Sequence, residues 1–482
     1  MVIVDNKTII SQNDIARECT INIADKVILA STINFANKVI LAPMVRVGTL
    51  PTRLLALEYG ADIVYTEELI DWKFLRSFRV VNDALGTIDY IDQSDGTIVF
   101  RTCEQEKDRV VVQLGTSDVK RALKVAKMIE NDVAAIDINM GCPKEFSLKG
   151  GMGAALLTQP EKAKSILSTL VQNVKIPITC KIRVFEDVEE TVKLAKQLES
   201  TGISAIAVHG RTKAERPQHP NRCETIKKIA EALTIPVIAN GGSREIENYK
   251  DILKFKADCG ASSVMIARTA QGNCSIFRQE GLVDLEEVIV NYLKNAVDYD
   301  NPPSNTKYCV QNMLKELQET PRGKKFLECQ TLEQICSIWG YGEYCRKKQL
   351  EYMSKGMMGR RDVAPDRLDP QQKRKKTEID NEPVDVAMKC AFIRSNYTED
   401  ADLPKTKLIA YCGKSKLHNP KYKVFNEDKL FRAVATLEGK KYSSTYWEKN
   451  KKFAEQGAAL VACVHLGIVH KEVLLNDGSM LE

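Results

Sequence analysis

The run Asn139-Met140-Gly141-Cys142-Pro143 sets a thiol in a tight turn. Gly141 gives the backbone freedom and Pro143 stiffens the exit, so Cys142 is presented between them. A thiol of ordinary pKa, about 8.5, is mostly protonated at neutral pH. Cys142 can therefore give a proton as a general acid or, once ionised, attack as a nucleophile. The chain has 14 cysteines, and the others lack this setting and read as inert core thiols.

Further polar residues recur at or just past the ends of short β-branched runs: Glu67, Glu68, Gln113, Asn139, Lys181, Arg183, His209, Arg211, Asn240 and Arg268. Asn240-Gly241-Gly242-Ser243 and Ala267-Arg268 suit a phosphate. The glycines let backbone N–H groups approach its oxygens, and Arg268 adds a charge-assisted bond. Lys181, flanked by apolar strand residues, must meet an anion or an electron-rich ring. Gln113 carries a donor and an acceptor, which suits the amide-like edge of a flavin or pyrimidine and equally a structural role in a core. His209, in His209-Gly210-Arg211-Thr212, is either a satisfied core histidine or a ligand. Lys149-Gly150-Gly151-Met152-Gly153 is a flexible basic loop, a lid or a linker.

The elements that position these residues are the runs at 38–43, 62–67, 109–115, 135–139, 177–183, 205–210, 236–240 and 262–267. Most are continuously apolar, as in parallel strands buried on both faces. Helical patterns such as 119–130 and 188–199 lie between most of them. Eight such βα units predict an α/β fold, a (β/α)₈ TIM barrel, in which chemistry sits at the strand C-terminal ends.

As a set, Ala42-Pro43-Met44-Val45, Asn139-Met140-Gly141-Cys142-Pro143-Lys144, Cys180-Lys181-Ile182-Arg183, His209-Gly210-Arg211 and Asn240-Gly241-Gly242 resemble the tRNA-dihydrouridine synthases over residues 38–280. The basic C-terminal segment narrows the resemblance to the eukaryotic dihydrouridine synthase 2 group, which acts on position 20 of the tRNA D-loop. The resemblance implies an FMN enzyme, with NADPH as reductant, that passes a hydride to C6 of a flipped-out uridine. Cys142 would protonate C5 and Asn139 would hold the uracil edge. Pro43, Met44 and Val45 would lie along the isoalloxazine, Gln113 would bond its pyrimidine side, and Glu68 would meet the cofactor edge. Lys181 would stabilise charge near N1, while His209, Asn240, Gly241, Gly242, Ala267 and Arg268 would hold ribityl and phosphate groups. Arg183, on flavin or uridine, and Arg211 are expected with the substrate. Where the family often has Asn-Pro-Ser-Ile-Phe, this chain has Asn273-Cys274-Ser275-Ile276-Phe277. Proline at a helix start mainly preorganises backbone, so the chemistry is untouched.

At 482 residues the chain exceeds a single core, and 44% hydrophobic with 28% charged residues excludes a disordered or fibrous chain. No apolar run approaches the ~18 residues of a membrane span. The cysteines run from Cys19 to Cys463 without a C-x-x-C, which argues against a structural metal and for a reducing compartment. Acidic residues among 1–36 argue against a mitochondrial leader. The net charge of +6 divides unevenly: residues 405–452 hold 13 Lys+Arg against 4 Asp+Glu, a net of +9, leaving −3 elsewhere. A polyanionic partner is expected.

The expected organisation is an N-terminal extension (1–36), FMN-binding barrel (37–284), helical tRNA-binding domain (285–359), linker (360–384), double-stranded RNA-binding domain (385–470) and tail (471–482). The RNA-binding assignment rests on a helix–three strands–helix pattern from Leu403, with Leu408, Ile409 and Cys412 facing a core, strands at 422–425, 430–437 and 440–446, and a helix at 448–466. Its second helix would set Lys449, Lys451 and Lys452 across phosphates. Asn426-Glu427-Asp428 replaces the usual Gly-Pro-x-His loop, so binding leans also on Lys389 and Arg394. Residues 22–30 nearly repeat as 34–42, identical at seven of nine positions, and only one copy can be the first strand. The expected partner is tRNA, with no membrane and no metal. The expected state is a monomer in the cytoplasm, with Lys373-Arg374-Lys375-Lys376 read as a solvated charge run or a nuclear signal. A flavoenzyme acting on free pyrimidines and an RNA-binding protein with a non-catalytic barrel are the rival readings.

Overall fold

The structure is a computed structural model that describes residues 33–357, 382–427 and 430–480. The first copy of the near-repeat, most of the charged linker with Lys373-Arg374-Lys375-Lys376, and Asp428 lie outside the described residues.

The eight apolar runs become eight parallel strands: β1 (Val39–Leu41), β2 (Ile63–Tyr65), β3 (Val110–Gly115), β4 (Ala135–Met140), β5 (Ile178–Arg183), β6 (Ala205–His209), β7 (Val237–Asn240) and β8 (Ser263–Ile266). Each pairs with its neighbours in sequence, β1 pairs with β8, and Val64 opposite Val110 joins β2 to β3, so the ring is closed. Strand alternation divides the apolar residues between two cores. Val39, Leu41, Val110 and Val112 face the surrounding helices. Ile40, Val111, Ala135, Ala205, Ala207, Ile238 and Met265 fill the barrel interior, with Phe35 packed among them. The second copy of the near-repeat thus supplies both β1 and the interior phenylalanine. Two or four residues beyond such positions, on the same strand face, stand Gln113, Asn139, His209 and Asn240, and Lys181 lines the same mouth. The same alternation that fills the interior therefore aims these polar side chains into its C-terminal mouth.

One element was not foreseen. Between β2 and β3, Ser77–Asn82, Thr87–Asp92 and Ile98–Cys103 form an antiparallel sheet. Its alternation is short and its outer face leaves Phe78 and Val81 exposed, so the pattern is weak. Charge pairs hold it: Arg101 donates to both carboxylate oxygens of Asp89 at 2.6 Å, and Arg79 Nε reaches Asp132 at 2.7 Å.

After the barrel come α1 (Leu285–Asp298), α2 (Pro303–Leu314), α3 (Pro321–Glu328), α4 (Leu332–Ile338) and α5 (Gly342–Ser354). Asp284 caps α1 by accepting from Glu286 N–H, and Val288, Tyr292 and Ala296 form its buried face. The C-terminal module holds β9 (Val386–Met388), α6 (Pro404–Lys414), β10 (Lys421–Glu427), β11 (Leu430–Leu437), β12 (Lys440–Ser444), α7 (Lys451–His465) and α8 (Lys471–Asn476). Leu408 and Cys412 of α6 enter its core, but Ile409 is exposed, because one helical turn presents only part of its circumference. The last long helix starts at Lys451, capped by Asn450, and not at Glu448. Residues 471–480, expected as a tail, form α8, bury Leu474 and bridge Met480 to Cys390. Strand β9, also unforeseen, extends the sheet in parallel beside β12.

Glu448 is freed from the helix for another use. It is buried in an ion pair with Lys324 of α3, itself 1% exposed, and ties the module to the helical domain. Glu319 adds to that seam by accepting from Lys449 Nζ at 2.6 Å and from Arg394 N–H at 2.7 Å.

Candidate active site

The C-terminal strand ends open into a cavity of about 410 Å³. Its thiol side is built on β4. Asn139 Oδ1 accepts from the N–H groups of Gly141 (2.9 Å) and Cys142 (3.0 Å), fixing the turn. Asn139 Nδ2 donates to Gln113 Oε1 at 3.1 Å, and Gln113 Nε2 donates to Asp137 Oδ2 at 2.8 Å. Thr179 Oγ1 donates to the other Asp137 oxygen at 2.7 Å. A continuous network thus runs from the barrel interior to the thiol turn. Burial raises the Asp137 carboxyl to about 6. Asn139 and Gln113 both line the cavity, yet each already spends bonds on positioning Cys142.

Cys142 is half-buried on the cavity wall. Burial first, and then the Glu68 carboxylate beside it, push its thiol up to about 11. At neutral pH it is a proton donor and a poor nucleophile, which resolves the alternative left open by the sequence. Burial also raises the Glu68 carboxyl. One Glu68 oxygen takes a bond from Ser147 Oγ at 3.4 Å, and the carboxylate lies against the Cys142 thiol. The glycine-rich run after Cys142 folds beneath the turn as a support: Ala154 N–H donates to Cys142 O at 3.0 Å. Gly153, at φ 56°, has no room for a Cβ, which would stand 2.7 Å from Cys142 O.

The neighbouring side, from β5 round to β8, is cationic, and Arg183 Nε braces the thiol turn by donating to Gly141 O at 2.8 Å. Lys181 and Arg183 leave β5, His209 leaves β6, and Arg268 follows β8 at the mouth. Packed protein surrounds Lys181 even though its head keeps some surface toward the cavity. Burial, then neighbouring Arg183, lower it to about 8. Burial and the charges of Arg211, Arg216 and Arg268 lower Arg183 to about 10. His209 is held neutral by burial and by the cations around it, and its Nδ1 is buried without a partner among the described residues. Gly241 has φ 117°, in the region that favours glycine, and with Gly242 it forms the cavity wall after β7. Asn240 lines the wall but turns its Nδ2 to Met265 O at 2.8 Å, bracing β7 on β8. Converging cations with an orphaned imidazole nitrogen fit an anionic ligand, which would relieve their mutual repulsion.

Pro43, Met44 and Val45 after β1, with Ala267 after β8, complete the wall between the two sides. Arg211 is corrected. Expected with the substrate, it is 1% exposed and absent from the cavity lining. It lies behind the wall, donating to Gly241 O and His219 O at 2.7 Å each. Its charge supports the glycine turn. The sequence reading missed Thr269, Gln271 and Tyr308, which also line the cavity. Tyr308 comes from α2, and a tyrosine in an amphipathic helix carries no signal of a role in a distant barrel.

Of the residues expected to bind RNA, Lys389, Lys451 and Lys452 are exposed. Lys449, also exposed, pairs with Glu319, and Arg394 donates its N–H to Glu319 and pairs with Asp400 at 3.0 Å.

The sequence signature of the dihydrouridine synthases matches residues 40–337, and that of the double-stranded RNA binding motif matches residues 404–466. The NAD(P)+ tRNA-dihydrouridine(20) synthase of Schizosaccharomyces pombe is 40% identical over 305 residues, covering 61% of this chain and 60% of that enzyme. The enzyme of the same description from Saccharomyces cerevisiae is 36% identical over 290 residues, covering 56% of this chain and 76% of that one. A solved dsRBD of a tRNA-dihydrouridine(20) synthase is 37% identical and covers 18% of this chain and 94% of its own, with a TM-score of 0.17.

Proposed function

Because the chain belongs to the dihydrouridine synthase family, we propose that it reduces the C5=C6 bond of a D-loop uridine in tRNA, at position 20, with FMN as resident cofactor and NADPH as reductant. The observation that carries this reading is a protonated thiol, Cys142, facing a cationic, glycine-walled rim across one cavity. The rim suits FMN: the orphaned His209 Nδ1, Arg268 and the Gly241-Gly242 turn would hold its phosphate, and Pro43, Met44 and Val45 would pack along its ring. Lys181 would stand at the electron-rich edge of the ring and favour negative charge there. When bound, FMN supplies the hydride that goes to C6 of the uracil.

The chain's own residues do the rest. Cys142 Sγ gives its proton to C5 and takes one back from solvent after product leaves. Asn139 fixes the turn that carries Cys142. Burial first, and the Glu68 carboxylate second, favour the protonated form of the thiol. A base must leave its stack to enter such a cavity, so the substrate is an extruded nucleotide. The basic C-terminal module supplies attraction to tRNA that a free pyrimidine would not need. The reading takes the protein as a cytoplasmic monomer, where its described cysteines, all free thiols, stay reduced.

The test mixes purified, flavin-loaded protein with NADPH and unmodified tRNA and quantifies dihydrouridine by mass. Product at position 20 is expected. Absence of product from flavin-loaded protein, or product from free uridine at equal efficiency, overturns the reading.

A further inference from the structure

Tyr308 is a wall between two cavities. It lines the main cavity and also a second pocket of about 220 Å³ that Arg46, Ser304, Lys307, Gln311 and Gln330 help to line. The Arg46 guanidinium lies over the Tyr308 ring, 4.1 Å from its centroid. This arginine is held on purpose. Its backbone takes the left-handed conformation, φ 65°, which a residue with a side chain adopts only where its surroundings compel it. Two bonds compel it: Arg46 N–H donates to Glu67 Oε2 at 2.7 Å, and Asn305 Nδ2 donates to Arg46 O at 2.7 Å. The side chain is thereby aimed from the barrel onto α2. One guanidinium N–H reaches Ser304 O at 3.4 Å, and no ion pair engages Arg46 among the described residues. Gln311, half-buried in the same pocket, has a side-chain amide that bonds no protein group among the described residues.

An aromatic wall, a planar cation with no ion pair among the described residues and an open amide, all beside the cavity for an extruded base, fit the chemistry of a nucleotide. In a polynucleotide the next base is one phosphodiester away, so a pocket sharing a wall with the first lies where that base would fall. We propose that this pocket is a second nucleotide subsite, which takes the nucleotide adjacent to the target uridine. Arg46 binds the phosphodiester between the two, and the Gln311 amide meets the edge of the adjacent base. The subsite rests on the tRNA reading above and adds to it a contact that holds the target by its neighbour.

The experiment uses the flavin-loaded full chain and three tRNAs: intact, abasic on the 5′ side of the target, and abasic on the 3′ side. Equilibrium affinity and steady-state turnover are both read. For the unchanged protein, one of the two abasic tRNAs is expected to bind about tenfold more weakly, the weight of one lost base contact. Gln311→Ala should weaken intact tRNA by a similar factor and no longer distinguish it from that abasic tRNA. Arg46→Ala should raise KM for all three, with the loss in KM and not in kcat, and lower the slope of affinity against salt by about 1. Flavin content should match the unchanged protein in both variants. Indifference of the unchanged protein to both abasic sites, or full discrimination by Gln311→Ala, overturns the subsite. If no dihydrouridine forms at all, the functional reading falls, while the affinities still decide whether the pocket takes a base.

Discussion

The barrel mouth and the C-terminal module are both basic, and they use charge in opposite ways. In the mouth, Lys181, Arg183 and His209 are crowded into protein, lose some of their proton affinity to burial and to one another, and converge on one cavity. In the module, Lys389, Lys451 and Lys452 stand exposed, without ion pairs among the described residues. A crowded cation is costly to keep, so it is specific to the one anion that relieves it and sensitive to pH. An exposed cation costs little, attracts any polyanion, and is weakened by salt. Sign and count of charge therefore say little about role; enclosure says which cations set chemistry and which set attraction.

The largest separation between the two regions is expected from Cys142→Ala. Removing a general acid lowers turnover by roughly 10²–10⁴-fold. Flavin absorbance and tRNA affinity should stay near those of the unchanged protein, since the thiol carries neither. A loss of only a few fold would move the proton source elsewhere in the cavity.

Next comes Lys181→Met, which removes an enclosed cation of the mouth while keeping its bulk. The cofactor-free protein should bind FMN at least tenfold more weakly, the scale of one charge-assisted bond. The pH dependence follows from a lysine lowered to about 8. Below that value it is charged and helps to hold the anion; as pH rises through about 8 the charge and its share of affinity are lost. Flavin fluorescence titrations from pH 6.5 to 9.5 should show this slope for the unchanged protein and a flatter one for Lys181→Met. Equal slopes would remove Lys181 from the anion site.

The barrel was legible because period-two alternation states both facts at once: apolar inward residues such as Val111 and Ala135, then Gln113 and Asn139 two or four positions on at the mouth. The thiol turn was legible because glycine and proline punctuate it. Arg211 was misjudged for a physical reason. It sits on the same loop as His209, and sequence gives a loop residue's neighbourhood but not which side of a wall its side chain takes. Tyr308 and the Lys324–Glu448 pair were invisible because they depend on how separate domains meet. Glu448 read as the first turn of a helix, since an acidic residue suits a helix start; a buried lysine on another domain claimed it instead.

Within the module, Lys451→Glu with Lys452→Glu should weaken tRNA binding several-fold at physiological salt and lower the salt slope by about 2, one for each lost phosphate contact. Turnover at saturating tRNA and FMN affinity should not move. A fall in kcat would mean that the module also orients the substrate over the barrel, and the contrast between attraction and chemistry would have to be redrawn.

The smallest expected effect at neutral pH is also the sharpest test of enclosure. Two causes raise the Cys142 thiol to about 11, burial first and the Glu68 carboxylate second. Glu68→Gln keeps the shape and removes the second cause, so the thiol should fall part of the way toward the ordinary value of about 8.5. Activity needs the protonated thiol and is lost as pH rises through its pKa. At pH 7 both proteins are protonated and single-turnover rates should agree closely. Toward pH 10 the variant should lose its donor first, and alkylation of Cys142 by iodoacetamide should accelerate at lower pH than in the unchanged protein. If the two alkylation profiles coincide, burial alone sets the thiol and Glu68 acts elsewhere in the cavity. If the variant's profile moves upward, Glu68 has been protonated and donating a hydrogen bond to the thiolate, and the sign of its influence is the reverse of the one argued from charge.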